Sequence, residues 1–252
     1  MKVGYAVLYD NGELVISQSH TILSKKIDKD YGAFEDTSVP WKNKCKRINK
    51  VNILDQVKSN CMKEWFCDCT NLTSLIDFTN LDVSDCEDFS WMFYSCKSLQ
   101  DISALESWNV SNGTDFSSMF SYCTSLQDIS ALASWNVSNG TDFSCMFLSC
   151  TSLQDISALA HWDVSNGADF SHMFSCCTSL QNISALERWN VSNGIDFSWM
   201  FDSCTSLQNI LLPNSLRYLS ENMFKDCNQN LKIRWKQYLY TYADLLEYKT
   251  IY

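Results

Sequence analysis

Six cysteines, Cys69, Cys96, Cys123, Cys150, Cys177 and Cys204, recur at a fixed interval of 27 residues, and the text between them is nearly constant. From Cys123 it reads CTSLQDISALASWNVSNGTDFSCMFLS, and from Cys150 CTSLQDISALAHWDVSNGADFSHMFSC. A unit of that length cannot bury its apolar face alone and must stack on its neighbours, so a fixed period in this range predicts a solenoid. Such a chain grows by adding coils around one continuous core and needs no second domain.

Composition narrows what the coils can serve. The 252 residues carry a formal charge of -10, which disfavours nucleic-acid binding because phosphate neutralisation needs clustered Lys and Arg. The basic clusters at Lys42–Arg47 (KNKCKR) and 232–236 (KIRWK) lie at the two ends of the repeats and read as solvated ends. No stretch approaches 18 apolar residues, so no membrane span is expected. Asp10 and Glu13 interrupt any apolar run near the start, so no signal peptide is read there, and no lipidation signal is seen. Thirteen cysteines is an odd number, and one per coil behaves as a column of small, buried, reduced thiols. Cys67-Asp68-Cys69 and Cys176-Cys177 lack the paired CxxC spacing of a zinc site, so no metal and no cofactor are expected.

Three segments follow. Residues 1–40 are outside the repeat, and Asp10-Asn11-Gly12 between residues 5–9 and 13–17 predicts a β-hairpin that covers the open end of the stack. Residues 41–227 hold the solenoid: a degenerate coil from Trp41, 27-residue repeats starting at 69, 96, 123, 150 and 177, and a 23-residue repeat at 204. Residues 228–252, with the aromatic run Ile233, Trp235, Tyr238, Tyr240 and then 243–248, read as a C-terminal cap.

Within a coil the chemistry divides. In 123–149, Leu126, Ile129 and Leu132 predict a short strand stacked in parallel on its equivalents about 4.8 Å away. Trp135 and Val137 bury a second corner, and Asn139-Gly140 supplies a turn open to left-handed backbone. Thr141 is a candidate N-cap, Asp142 complements a helix dipole, and Phe143, Met146 and Phe147 have the i, i+3, i+4 spacing of a short helix. Strand, corner and helical turn make one right-handed coil, and about seven coils are expected.

The pattern CTSLQDIS…LxxWNVSNGTDFSxMFxxC resembles the BspA-like leucine-rich repeats of bacterial surface proteins, over residues 41 to 227. The unit CTSLQNILLPNSLRYLSENMFKDC resembles the shorter form of the same repeat, with a Leu-Pro pair after the strand. The resemblance implies a leucine-rich-repeat solenoid of the α/β kind, and a surface-exposed or secreted protein associated with adhesion. No export signal or wall anchor of that family is visible here.

Differences among the copies mark candidate contact positions. The residue before each Met is Trp91, Ser118, Cys145, His172 and Trp199, and the residue after each Met-Phe pair is Tyr94, Ser121, Leu148, Ser175 and Asp202. The pair before each Trp changes too, bringing in His161 and Arg188. Trp91, Tyr94, His161, His172, Arg188 and Trp199 are therefore the candidate ligand-binding residues, since aromatics and Arg dominate binding hot spots. Neutral drift on a solvated face is the other reading of the same differences. Asp101, Asp128 and Asp155, continued by Asn182 and Asn209, form a column that either faces water or meets a cation. Asp88, Asp115, Asp142, Asp169 and Asp196 form a second column, read as helix N-terminal residues. The repeated Asn-x-Ser/Thr triplets, Asn109-Val110-Ser111 among them, read as turn chemistry.

No catalytic constellation is read: His20, His161 and His172 are scattered, and repeats place like residues in rows, whereas catalysis needs unlike groups to converge. The expectation is a non-enzymatic scaffold that binds a protein or glycan on another cell or particle. A structural or receptor-binding part of a bacteriophage particle and a cytoplasmic interaction scaffold are the alternatives.

Overall fold

The computed structural model describes residues 2–220, 222–247 and 250–251; Tyr248, in the expected C-terminal cap, lies outside them. β1 (Lys2–Tyr9) and β2 (Glu13–Ser17) run antiparallel, with Leu8 opposite Leu14 and Tyr5 opposite Ser17. Gly12 closes their turn at φ 83°, a conformation only glycine adopts without steric cost. β3 (Ile27–Glu35) pairs with the other edge of β1. The coils begin with β4 (Lys50–Ile53) and β5 (Val57–Lys58), and 24 residues on β6 (Ser74–Ile76) and β7 (Leu81–Asp82) repeat them in parallel. β2 pairs in parallel with β4, so one sheet of order β3-β1-β2-β4-β6 runs from the hairpin into the coils.

The near-identical repeats depart from the expected strand. Ser103–Leu105, Ser130–Leu132, Ser157–His161 and Ser184–Arg188 are short 3-10 turns, and this arm keeps only a single parallel bridge, Asp155 to Asn182. The cause is local. The Oδ1 atoms of Asp101, Asp128, Asp155 and Asn182 each accept the N–H of the Ser two residues on, at 2.7–2.9 Å. That side-chain acceptor competes with the ladder and bends the chain into a turn.

The expected helix at 141–147 is also absent. The N–H groups of Phe143, Cys145, Phe147 and Ser149 cross to carbonyls of Asp169, Ser171, Met173 and Ser175 in the next coil at 2.8–2.9 Å. Met146 and Leu148 instead close tight turns on Phe143 and Cys145, at 3.2 and 3.1 Å. Thr141 caps no helix; its hydroxyl donates to the carbonyl of Thr114 one coil back, at 3.1 Å. The aspartates from Asp88 to Asp196 bridge one another in parallel, and each holds the N–H of the Ser two residues later at 2.7–2.9 Å.

Two phenylalanine ladders fill the interior. Phe89, Phe116, Phe143, Phe170 and Phe197 stack at 5.3–5.6 Å, and Phe66, Phe93, Phe120, Phe147, Phe174, Phe201 and Phe224 at 5.3–5.7 Å. Each buried Phe contributes about 1.5–3 kcal/mol of transfer free energy, against about 0.5–1.5 kcal/mol net for a hydrogen bond. The ladders therefore drive stacking, and side-chain hydrogen bonds set its register. Trp135 Nε1 donates to Leu105 O at 3.0 Å, Asn139 Nδ2 to Ser111 O at 2.8 Å and Cys150 Sγ to Phe120 O at 3.2 Å, each reaching 28 or 30 residues back.

The thirteen cysteines are free, and burial pushes the Cys96, Cys123, Cys150, Cys177 and Cys204 thiols well above their ordinary pKa. Beyond the 27-residue repeats the strands return. β8 (Asn209–Leu211) precedes β9 (Leu219–Ser220) and pairs in parallel with β10 (Lys232–Trp235), which pairs antiparallel with β11 (Tyr238–Thr241). A single helical turn, α1 (Tyr242–Glu247), follows, and β12 (Thr250–Ile251) pairs with β9. No helix among the described residues is long and apolar enough to cross a membrane.

Candidate functional site

The alternating hydrogen bonds of the 142–149 arm force two residues per coil into left-handed backbone. Trp91 and Ser95, Ser118 and Tyr122, Cys145 and Ser149, His172 and Cys176, and Trp199 and Ser203 all lie at φ 55–60°. The variable position of Trp91, Ser118, Cys145, His172 and Trp199 is thus one where an L-residue costs about 1–2 kcal/mol and Gly would not. Inter-coil bonds on both sides, such as Trp91 N–H to Ser117 O at 3.0 Å, impose the conformation whatever the side chain.

The structure divides the candidate residues into three groups. Trp91, 39% exposed, packs against the half-buried Tyr94 at 4.6 Å between ring centroids, and Tyr94 meets Tyr122 edge-on at 5.4 Å. His172 and Trp199 form a separate parallel stack at 5.4 Å. His161 and Arg188 are exposed at the ends of the 3-10 turns Ser157–His161 and Ser184–Arg188, on a different arm of the coil. Tyr122 belongs to the first cluster and was not among the sequence candidates. Its signal was present: before each column cysteine stand Asp68, Ser95, Tyr122, Ser149, Cys176 and Ser203, and Tyr122 alone is large.

Burial, then the neighbouring Tyr122 and Asp68, push the Tyr94 phenol above its ordinary pKa. Asp68 is exposed at φ 60°, with its N–H bonded to Tyr94 O at 2.8 Å. On the other arm the exposed Gln127, Asp128, Gln154 and Asp155 line an open groove of about 550 Å³. The carboxylates of this column face water, and their Oδ1 atoms are already engaged by the Ser N–H groups. The Ser103 hydroxyl and N–H donate to the Asp101 carboxylate and hold its pKa below the usual range. Among the described residues no group of three or more His, Cys, Asp or Glu is placed to hold a metal ion.

A family described as "Mycoplasma protein of unknown function, DUF285" matches residues 59–159 and 132–235, together more than half of the chain. No curated protein matches the sequence. Among solved structures, a leucine-rich cell surface protein from Faecalibacterium prausnitzii is similar at 15% identity and a TM-score of 0.41, over 92% of this chain and 76% of that one. A leucine-rich repeat protein from Bacteroides ovatus is similar at 12% identity and a TM-score of 0.33, over 93% and 70% of the two chains. One from Eubacterium ventriosum is similar at 11% identity and a TM-score of 0.31, over 97% and 98%.

Proposed function

Since the chain belongs to the DUF285 family and its repeats are of the BspA-like leucine-rich type, we propose that it is a non-enzymatic interaction scaffold, displayed at a cell surface or secreted, that binds a protein or glycan on another cell or particle. The observation that carries the reading is Trp91. A large aromatic stands 39% exposed at a left-handed position, in ring contact with the half-buried Tyr94, on a coil whose Phe78, Phe89 and Phe93 are interior. Exposed aromatic clusters on rigid surfaces mark interaction sites, and a preformed coil binds without first ordering its contact residues. The His172–Trp199 stack offers a second contact region. A coil places like residues in rows, which suits repeated contacts along a ligand and does not assemble a nucleophile with its base.

The test is a panel of immobilised matrix proteins and glycans probed with the native chain and with a W91A/W199A double variant. The proposal expects captured signal that falls at least tenfold in the variant, and equal signal would remove the aromatic face as the site. Protease treatment of intact producing cells, followed with an antibody, is expected to remove the protein. Full protection would contradict surface display.

A further inference from the structure

Resting on that binding reading, we propose that Trp91, Tyr94, Tyr122 and Asp68 form a recognition site for an arginine-bearing basic segment of a partner protein. The rings do not make one flat table. Trp91 and Tyr94 are inclined at 38° and Tyr94 and Tyr122 at 69°, so differently directed faces and edges meet at Tyr94. A cation is drawn to any ring face by the quadrupole, and a planar guanidinium also stacks.

The charge beside the rings matches. Asp68 is tied to Tyr94 by its backbone N–H, and its carboxylate is exposed. Neighbouring acids already have cations, Lys42 on Glu64 and Lys63 on Asp88 at 3.3 Å, but among the described residues no cation pairs with Asp68, whose Oδ2 meets only the Cys67 Sγ at 3.9 Å. A carboxylate beside ring faces offers guanidinium two hydrogen-bond acceptors and a stacking surface together. The net charge of -10 would draw a basic segment in from a distance.

The stack does not call for these side chains. Trp91, Tyr122 and Asp68 all lie at φ 59–60°. The fold asks for no bulk there, since Ser occupies the same positions at Ser95, Ser118 and Ser149. The aromatic bulk at Trp91 and Tyr122 and the charge at Asp68 are therefore not requirements of the stack.

The experiment is calorimetric titration of the full chain with a hexa-arginine peptide, with hexa-lysine and cellohexaose as comparison probes. I195T, at a position 75% exposed and filled by Thr114 and Thr141 in other coils, is the reference variant. Hexa-arginine is expected to bind the native chain and I195T alike, more tightly than hexa-lysine, and at least tenfold more weakly to both W91A and D68N. Failure of Cys96 to label with iodoacetamide confirms that each variant is folded. Absent binding, or unchanged affinity in W91A and D68N, would overturn the site. Cellohexaose binding that W91A abolishes would overturn the guanidinium assignment and leave the broader binding reading standing.

Discussion

At the scale of single residues, the repeated glycine and the left-handed positions have exchanged the roles that turn chemistry assigns them. Asn139-Gly140 reads as a turn that tolerates left-handed backbone, and Gly140 does not use that freedom: the only glycines at positive φ among the described residues are Gly12 and Gly32. A Cβ on Gly140 would instead press on Cζ of Phe143 and lie 3.0 Å from Val137 O. The residue must be small because a ring of the first phenylalanine ladder crosses directly over it. Gly140→Ala is expected to destabilise the fold by about 1–3 kcal/mol through overpacking, read as a lowered midpoint of urea unfolding with unchanged slope. An unchanged midpoint would mean that Phe143 moves aside freely. Sequence spacing could not show this, because a turn glycine and a packing glycine look alike before the ladder is known.

At the scale of elements, the apolar columns were legible and the backbone between them was not. Phe143, Met146 and Phe147 point inward as the spacing requires, and all three are fully buried. Their i, i+3, i+4 pattern fits a helix, but it equally fits a chain that hydrogen-bonds alternately to its own turn and to the next coil. Inter-coil bonding decides against the helix at Asp142, because the N–H groups of Phe143, Cys145 and Phe147 go to carbonyls of the next coil, while at Asp128 the Oδ1 captures the Ser130 N–H and halts the strand. Stacking these aspartates has a cost at Asp142. Burial first, with the charges of Asp115 and Asp169 adding to it, raises its pKa above 3.8 despite opposing hydrogen bonds from Ser144.

A carboxyl with a raised folded pKa favours folding in its protonated form. Its contribution is therefore present below about pH 4, lost as pH rises through the folded value, and flat beyond it. Asp142→Asn keeps an acceptor for Ser144 and removes the charge. It is expected to raise stability near pH 7 by on the order of 0.5 kcal/mol and to leave it unchanged at pH 3. Melting curves of both proteins at the two pH values check this, and a variant less stable at pH 7 would show that the carboxylate is needed as a charge.

At the scale of the molecule, each 27-residue coil bonds to the coil before and the coil after, through equivalent atoms. Trp108, Trp135, Trp162 and Trp189 each donate to the carbonyl 30 residues back, at 2.9–3.1 Å, so coils are interchangeable parts of one register. That much the period made readable from the sequence alone. The candidate site was half readable: Trp91 and Tyr94 stood out as differences between copies, while their meeting with Tyr122 and Asp68 depends on left-handed backbone that no residue spacing encodes.

Each coil is held by its nearest neighbours, so that stability is a sum over coils and their interfaces. Deleting residues 123–149, one whole repeat, tests it directly, with thiol labelling by iodoacetamide at pH 8 as the readout. The shortened chain is expected to remain folded and to melt at a modestly lower temperature, with Cys96, Cys177 and Cys204 as resistant to labelling as in the full chain. Rapid labelling of those three thiols would show that the stack depends on contacts beyond adjacent coils and would contradict the account.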